Sequence, residues 1–324
     1  MHARAGQSSQ PSPLPRATGP ADSSPSGRTQ ASDYLTAPQF RDTVASYCRE
    51  IVATDMQAWP TTKLFHQLGR YMISFLLIHH YQDWHRHDGP PATLSRLQAS
   101  CPLSPRQTAA IVAGLRAGKL LTAESPASTD LRIALATTEN SVDFPKAQSS
   151  QARILVPAPP IIQAIARPML AILAAADQLD QKMRARPFTG DFALQSELVY
   201  RSARFVELHG TLLEAFPRVR HFTEKDCGYL ILCAVMASAL SPSAPVPLSC
   251  RYLAQHFRIS RSHASNLLAH AAASQWFATD GRGRLAYIAP DLILEFEQWA
   301  ATEMAHYAEI AEDMLADPTG GSCV

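Results

Sequence analysis

The stretch VPLSCRYLAQHFRISRSHASNLLAHAAASQWFATDGRGRLAYI, Val246 to Ile288, decides the fold. A first helix runs from about Ser249 to Phe257, with Leu253, Ala254 and Phe257 spaced to face one side. Ser260 is placed to cap a second helix, its side-chain oxygen accepting a free backbone N–H. That helix turns Ala264, Leu267, Leu268 and Ala271 inward on one stripe and leaves Arg261, Ser262, His263, Ser265 and Asn266 outside. Trp276 to Ala278 then reads as a short strand, Asp280-Gly281-Arg282-Gly283-Arg284 as a loop, and Leu285 to Ile288 as a return strand. Together these predict a winged helix-turn-helix, with a recognition helix for the major groove and a basic wing for the neighbouring backbone or minor groove.

The 324 residues suffice for two domains of ordinary size, and 46% of them are hydrophobic. The formal charge is +1, so contact with nucleic acid has to come from local basic patches, not from a polybasic coat. The six cysteines are scattered, with no C-x-x-C pair and no metal-ligand spacing. They read as reduced thiols of a cytoplasmic protein, mostly small core residues. No stretch reads as long and apolar enough to span a bilayer, because Arg167-Pro168 interrupts the best candidate, Ile161 to Ala176. Residues 1–36 form a Ser-, Pro- and Gly-rich segment expected to be a disordered tail. Residues 317–324 are expected to be a flexible C-terminus.

Taken in order, Gln39 to Trp59 and Leu64 to Trp84 read as helices, Ala92 to Ala99 as a short helix, and Ser104 to Gly118 as another. Leu120 to Glu124 and Leu131 to Ala136 are expected to pair as a hairpin. Glu139 to Gln151 is a polar linker. Pro160 to Arg184, Gly190 to Phe216 and Phe222 to Leu240 follow as helices, and Asp291 to Leu315 closes the chain as a long amphipathic one. This order repeats. Leu103-Ser104 is matched by Ile259-Ser260, a shift of 156 residues, and Leu120-Leu121 falls against Trp276-Phe277 at the same shift. The expected fold class is therefore mainly α, with two tandem winged helix-turn-helix units at residues 37–189 and 190–316. Their long flanking helices form a shared interface.

That order, with Phe222-Thr223-Glu224-Lys225 opening the second helix of the second unit, resembles the MarR family of winged-helix transcription regulators. Thr129-Asp130-Leu131-Arg132 and Asp280-Gly281-Arg282 resemble the family's Asp-x-Arg wing signature. The resemblance covers roughly Ala37 to Leu315, twice over. Members of the family are normally homodimers of one unit, so it implies a monomer acting as a fused pseudo-dimer, a double-stranded DNA partner and a small aromatic or phenolic effector. No residue identifies where that effector would sit.

Base contact is assigned to Arg261, Ser262, His263 and Asn266, since Arg suits guanine and Asn suits adenine in the major groove. Phosphate or minor-groove contact is assigned to Arg282 and Arg284. In the first unit Arg106, Gln107 and Arg132 take the same roles. The second lobe carries five arginines against Asp280; the first has an acidic wing tip and an alanine-rich recognition surface. The second lobe is thus the better DNA reader. His79, His80, His85 and His87 fit no metal-ligand spacing and read as surface histidines at a helix end. No nucleophile elbow, P-loop, dinucleotide fingerprint or carboxylate pair is present, so the sequence reads as a binding protein without a cofactor, not an enzyme. Two other readings stay open: a winged-helix scaffold of a chromosome-organisation complex that grips protein, and a plasmid replication initiator.

Overall fold

The computed structural model describes residues 25–53, 66–124 and 153–316. The described residues hold thirteen α-helices and two two-stranded antiparallel ribbons, so the fold is mainly α. In chain order these are α1 (Pro25–Thr36), α2 (Phe40–Val52), α3 (Leu68–Arg86), α4 (Leu94–Ser100) and α5 (Pro105–Ala117). The first ribbon, β1 (Leu121–Glu124) and β2 (Ile154–Pro157), comes next. Then come α6 (Pro159–Asp180), α7 (Ala185–Phe188), α8 (Phe192–His209), α9 (Pro217–Thr223), α10 (Gly228–Leu240), α11 (Cys250–His256) and α12 (Arg261–Ala273). The second ribbon, β3 (Phe277–Thr279) and β4 (Leu285–Ile288), leads into α13 (Pro290–Ala316).

Side-chain caps set where the short helices begin. Thr93 Oγ1 accepts the Arg96 N–H, Ser249 Oγ that of Tyr252 and Ser260 Oγ that of His263. Ser104 and Gln107 close a capping box, ahead of Pro105 at the first helical position. Each cap satisfies a donor that the first turn leaves without an intrahelical acceptor.

The core is built from helices of both halves of the chain. α10 is apolar all round, and Ile231 to Ala237 are fully buried in it. It packs on α2, while α8 packs on α3; α6 and α13 cross between these pairs. Each half therefore lays its leading helix on the other half. α1 lies along α13, with the Tyr34 hydroxyl donating to Asp180 Oδ2 at 3.0 Å. The tail expected over residues 1–36 is thus corrected. Pro25 to Thr36 is helical because Tyr34 has an apolar seat and a hydrogen-bond acceptor, and residues 1–24 lie outside the described residues, as do 317–324.

Five further expectations change. The return strand of the first ribbon is Ile154–Pro157, not Leu131 to Ala136, which lies outside the described residues. Ile154 and Leu155 are buried, and the Leu155 N–H donates to Ala92 O at 2.7 Å, so this apolar run is fixed on both edges. The helix expected over Pro160 to Arg184 ends at Asp180, because Arg184 folds back on it. Arg184 Nε donates to Asp177 Oδ1 at 2.8 Å and Nη1 to Glu312 Oε1 at 2.6 Å, and Nη2 also pairs with Asp180. The helix expected over Gly190 to Phe216 stops at His209, where Gly210 takes a φ of +82°.

Phe222 to Leu240 is broken at Glu224 to Cys227. Gly228 there lies so close to the Phe222 carbonyl that a Cβ would sit 2.1 Å from its oxygen. Finally, α6 runs through Pro168 without a break and is long and apolar enough to cross a membrane. Here Ile161, Ile165, Met169 and Leu173 are buried inside the molecule.

Candidate nucleic-acid interface

The second ribbon and α12 form the most open basic surface read from the sequence. α12 buries Ala264, Leu267 and Ala271, which fixes its roll. Arg261, Ser262, Ser265 and Asn266 are then exposed along the opposite side. Among the described residues, the side chains of Arg261 and Asn266 make no hydrogen bond or ion pair, so both stand ready for an outside partner. Ser262 Oγ lies 3.1 Å from Ser260 Oγ, at the cap. His263 does not join them. It is half-buried, with Nε2 2.8 Å from the Asp226 carbonyl oxygen, and it ties α12 to the turn before α10.

The ribbon tip is shaped by Asp280. Its Oδ1 accepts the Arg284 N–H at 2.8 Å and the Arg282 N–H at 2.9 Å, and its Oδ2 accepts Arg284 Nε at 2.9 Å. The Arg284 amide foremost, together with that guanidinium and the Arg282 amide, holds the Asp280 carboxyl below the usual carboxylate range. Arg284 is thereby half-neutralised, whereas the Arg282 side chain extends without a partner among the described residues. Gly283 sits between them at φ +73°, and its carbonyl takes the Leu248 N–H at 2.8 Å. A Cβ there would lie 2.5 Å from the Ser249 nitrogen, so only glycine lets the tip clasp the start of α11.

Arg106 and Gln107 lie on α5. Arg106 is exposed without a side-chain partner among the described residues, whereas Gln107 Oε1 is occupied by the Ser104 hydroxyl at 2.8 Å and amide at 3.2 Å. Arg132 lies outside the described residues. The structure therefore gathers Arg261, Ser262 and Asn266 on one helix face, sets Arg282 and Arg284 on a ribbon beside it, and turns His263 inward.

The histidines expected at the surface are also partly inward. His79 and His80 are buried. Burial foremost, and then Arg96, lowers the His80 pKa to about 3. His79 Nε2 lies 2.9 Å from Glu207, and Tyr200 stacks between the rings of His79 and His87. Among the described residues no group of three His, Cys, Asp or Glu is placed to hold a metal ion.

The feature missed in the sequence is a cavity of about 420 Å³ between the helices of the two halves. Tyr47 of α2, Tyr71 of α3, Tyr229 of α10 and Trp299, Glu303 and Tyr307 of α13 line it. The Tyr47 and Tyr229 hydroxyls hydrogen-bond each other. Glu303 faces this space, and burial pushes its carboxyl up to about 7. The buried Trp299 indole N–H stands beside that carboxyl and works against the rise. One signal in the sequence pointed here: Trp299, Glu303 and Tyr307 follow one another at four-residue spacing, placing an acid inside an apolar helical stripe.

Compared with protein-family models, with curated proteins and with solved structures, the chain matches none.

Proposed function

We propose that the chain is a sequence-specific DNA-binding transcription regulator of the cytoplasm, built as a single-chain pseudo-dimer of two winged-helix units and answering to a small aromatic effector. The observation that carries the reading is the pair Arg261 and Asn266, exposed and without partners among the described residues on one face of a capped helix, next to a ribbon tipped by Arg282. Arg and Asn are the side chains that read guanine and adenine edges, and a basic ribbon beside such a helix suits the flanking phosphates.

Duplication is supported by local geometry recurring at one shift. α4 and α11 both have 7 residues, and α5 and α12 both have 13. Their caps Thr93 and Ser249, and Ser104 and Ser260, are each 156 positions apart. Lys119 and Gln275, at the same shift, both take φ +57° where the longer helices end. Long helices then start at Pro159 and Pro290.

Selection of bound duplexes from a random pool at physiological salt tests the reading. An enriched asymmetric site is expected, since the two lobes differ. Arg261→Ala or Asn266→Ala should relax discrimination at one position, at a cost of about 1–3 kcal/mol for the preferred base. The Arg282→Ala, Arg284→Ala pair should weaken all duplexes alike and flatten the salt dependence, with Arg282 giving the larger share. A pool that enriches nothing, with affinity unmoved by all four substitutions, would leave the scaffold reading in its place. One observation favours a protein-contact role for the first lobe: α5 exposes Ala110, Ala113 and Gly114 where α12 exposes Asn266, Ala269 and His270.

A further inference from the structure

The cavity between the helix pairs has a wall chemistry that narrows its ligand. Its volume, about 420 Å³, lies in the range of sites for small organic molecules. Its walls are mostly apolar and aromatic, and Glu303 is the acid among them. Burial foremost raises the phenols of Tyr47, Tyr71 and Tyr307, and the Glu303 charge adds to the rise of each, so the carboxylate reaches several rings at once. Among the described residues no basic side chain acts on Glu303 in return. Burial raises it and the neighbouring Trp299 works against that rise, while Arg167, which also lines the cavity, is exposed on α6.

We propose that this cavity binds a lipophilic organic cation, its positive centre against the Glu303 carboxylate and its apolar groups against Trp299 and the surrounding tyrosines. A carboxylate facing mostly apolar walls is costly, and a cation relieves that cost where a neutral ligand does not. Tyrosine and tryptophan faces add cation–π attraction, which is strongest when water is excluded. An anion of the same shape meets the carboxylate head-on. The ligand class deepens the effector part of the reading above and rests on it for its regulatory meaning. The binding site itself stands apart from DNA.

The test is calorimetry on the full chain, without DNA, using tetraphenylphosphonium and tetraphenylborate, two lipophilic ions matched in shape and opposite in charge. Saturable binding of one phosphonium per chain is expected, at least about tenfold tighter than the borate. Glu303→Gln, which keeps the shape and removes the charge, should weaken the phosphonium at least about tenfold and spare the borate. Ala164→Phe, on the cavity wall contributed by α6, should block both ions. No saturable phosphonium binding, equal affinity for the two ions, or phosphonium affinity untouched by Ala164→Phe overturns the proposal. So does a folded Glu303→Gln protein that binds the phosphonium as the wild type does. If Glu303→Gln does not fold, the wild-type comparison and Ala164→Phe decide by themselves. Cation binding without any DNA preference would separate the cavity from the regulator reading, and the reverse result would separate them the other way.

Discussion

Replacing Glu303 with Gln tests the physics of the cavity without any ligand. The carboxyl stands at about 7 in the folded protein against an ordinary 4.5, because burial disfavours its ionised form. The folded state therefore holds a proton that the unfolded state releases, and stability falls as pH rises from the unfolded value through the folded one. Above about pH 8 the full penalty applies, and a shift of that size corresponds to about 3 kcal/mol. Near pH 4.5 it shrinks to below roughly 0.5 kcal/mol. Gln mimics the protonated acid and carries no such dependence. Glu303→Gln is thus expected to be more stable than the wild type by about 3 kcal/mol at about pH 8.5, and nearly equal to it at about pH 4.5. Urea titrations at the two pH values read this directly. In melting temperature the alkaline gain is roughly 4–5 °C for a chain of this size. A difference between the two proteins that does not change with pH, or that grows toward acid, would refute the reasoning.

Other substitutions probe the frame and the basic surface. Arg184→Met leaves Asp177, Asp180 and Glu312 without their shared cation and is expected to cost about 3–5 kcal/mol by urea titration. Arg41→Ala removes an exposed cation but leaves the buried Glu297 carboxylate without it, and should cost about 1–3 kcal/mol. Gly283→Ala puts a side chain at φ +73° and against Ser249, at a backbone cost of about 1–2 kcal/mol before any clash. Amide exchange at Leu248, whose N–H bonds the Gly283 carbonyl, should speed up with it; unchanged protection would mean the tip does not depend on glycine. His263→Ala removes the hydrogen bond to Asp226 and should destabilise by about 1–3 kcal/mol, whereas Asn266→Ala on the open face stays within about 0.5 kcal/mol.

Local chemistry made part of this architecture readable in the sequence. Ser104 and Ser260 announce their helices because a cap works through the next three residues and needs nothing distant. The ribbon around Asp280 is legible for the same reason: its turn is closed by its own side chain. What stayed hidden depends on remote groups. The partner of Leu121–Glu124 is Ile154–Pro157, chosen by burial against Ala92 and not by nearness along the chain. The break before Gly228 comes from the tight approach of Phe222, and the end of α6 from the carboxylates that gather around Arg184. His263 looks available on a helical wheel, yet it is held by a carbonyl from another segment. The cavity was the least visible feature. Its tyrosines come from separate helices and each reads as ordinary core; Glu303 alone is out of place in its stripe.

The crossed arrangement of the leading helices also fixes an order of events during synthesis. The apolar side of α2, with Val44, Tyr47, Cys48 and Ile51, is covered by α10, which starts at Gly228, well over a hundred residues after α2 ends at Val52. At ordinary ribosomal speeds that interval lasts roughly 10–40 s. Through it the emerging chain carries a hydrophobic stripe without its main cover, which is the state that chaperones recognise. Severing the polypeptide between residues 189 and 190 would make the exposure permanent in each fragment, because each keeps the helix that the other needs.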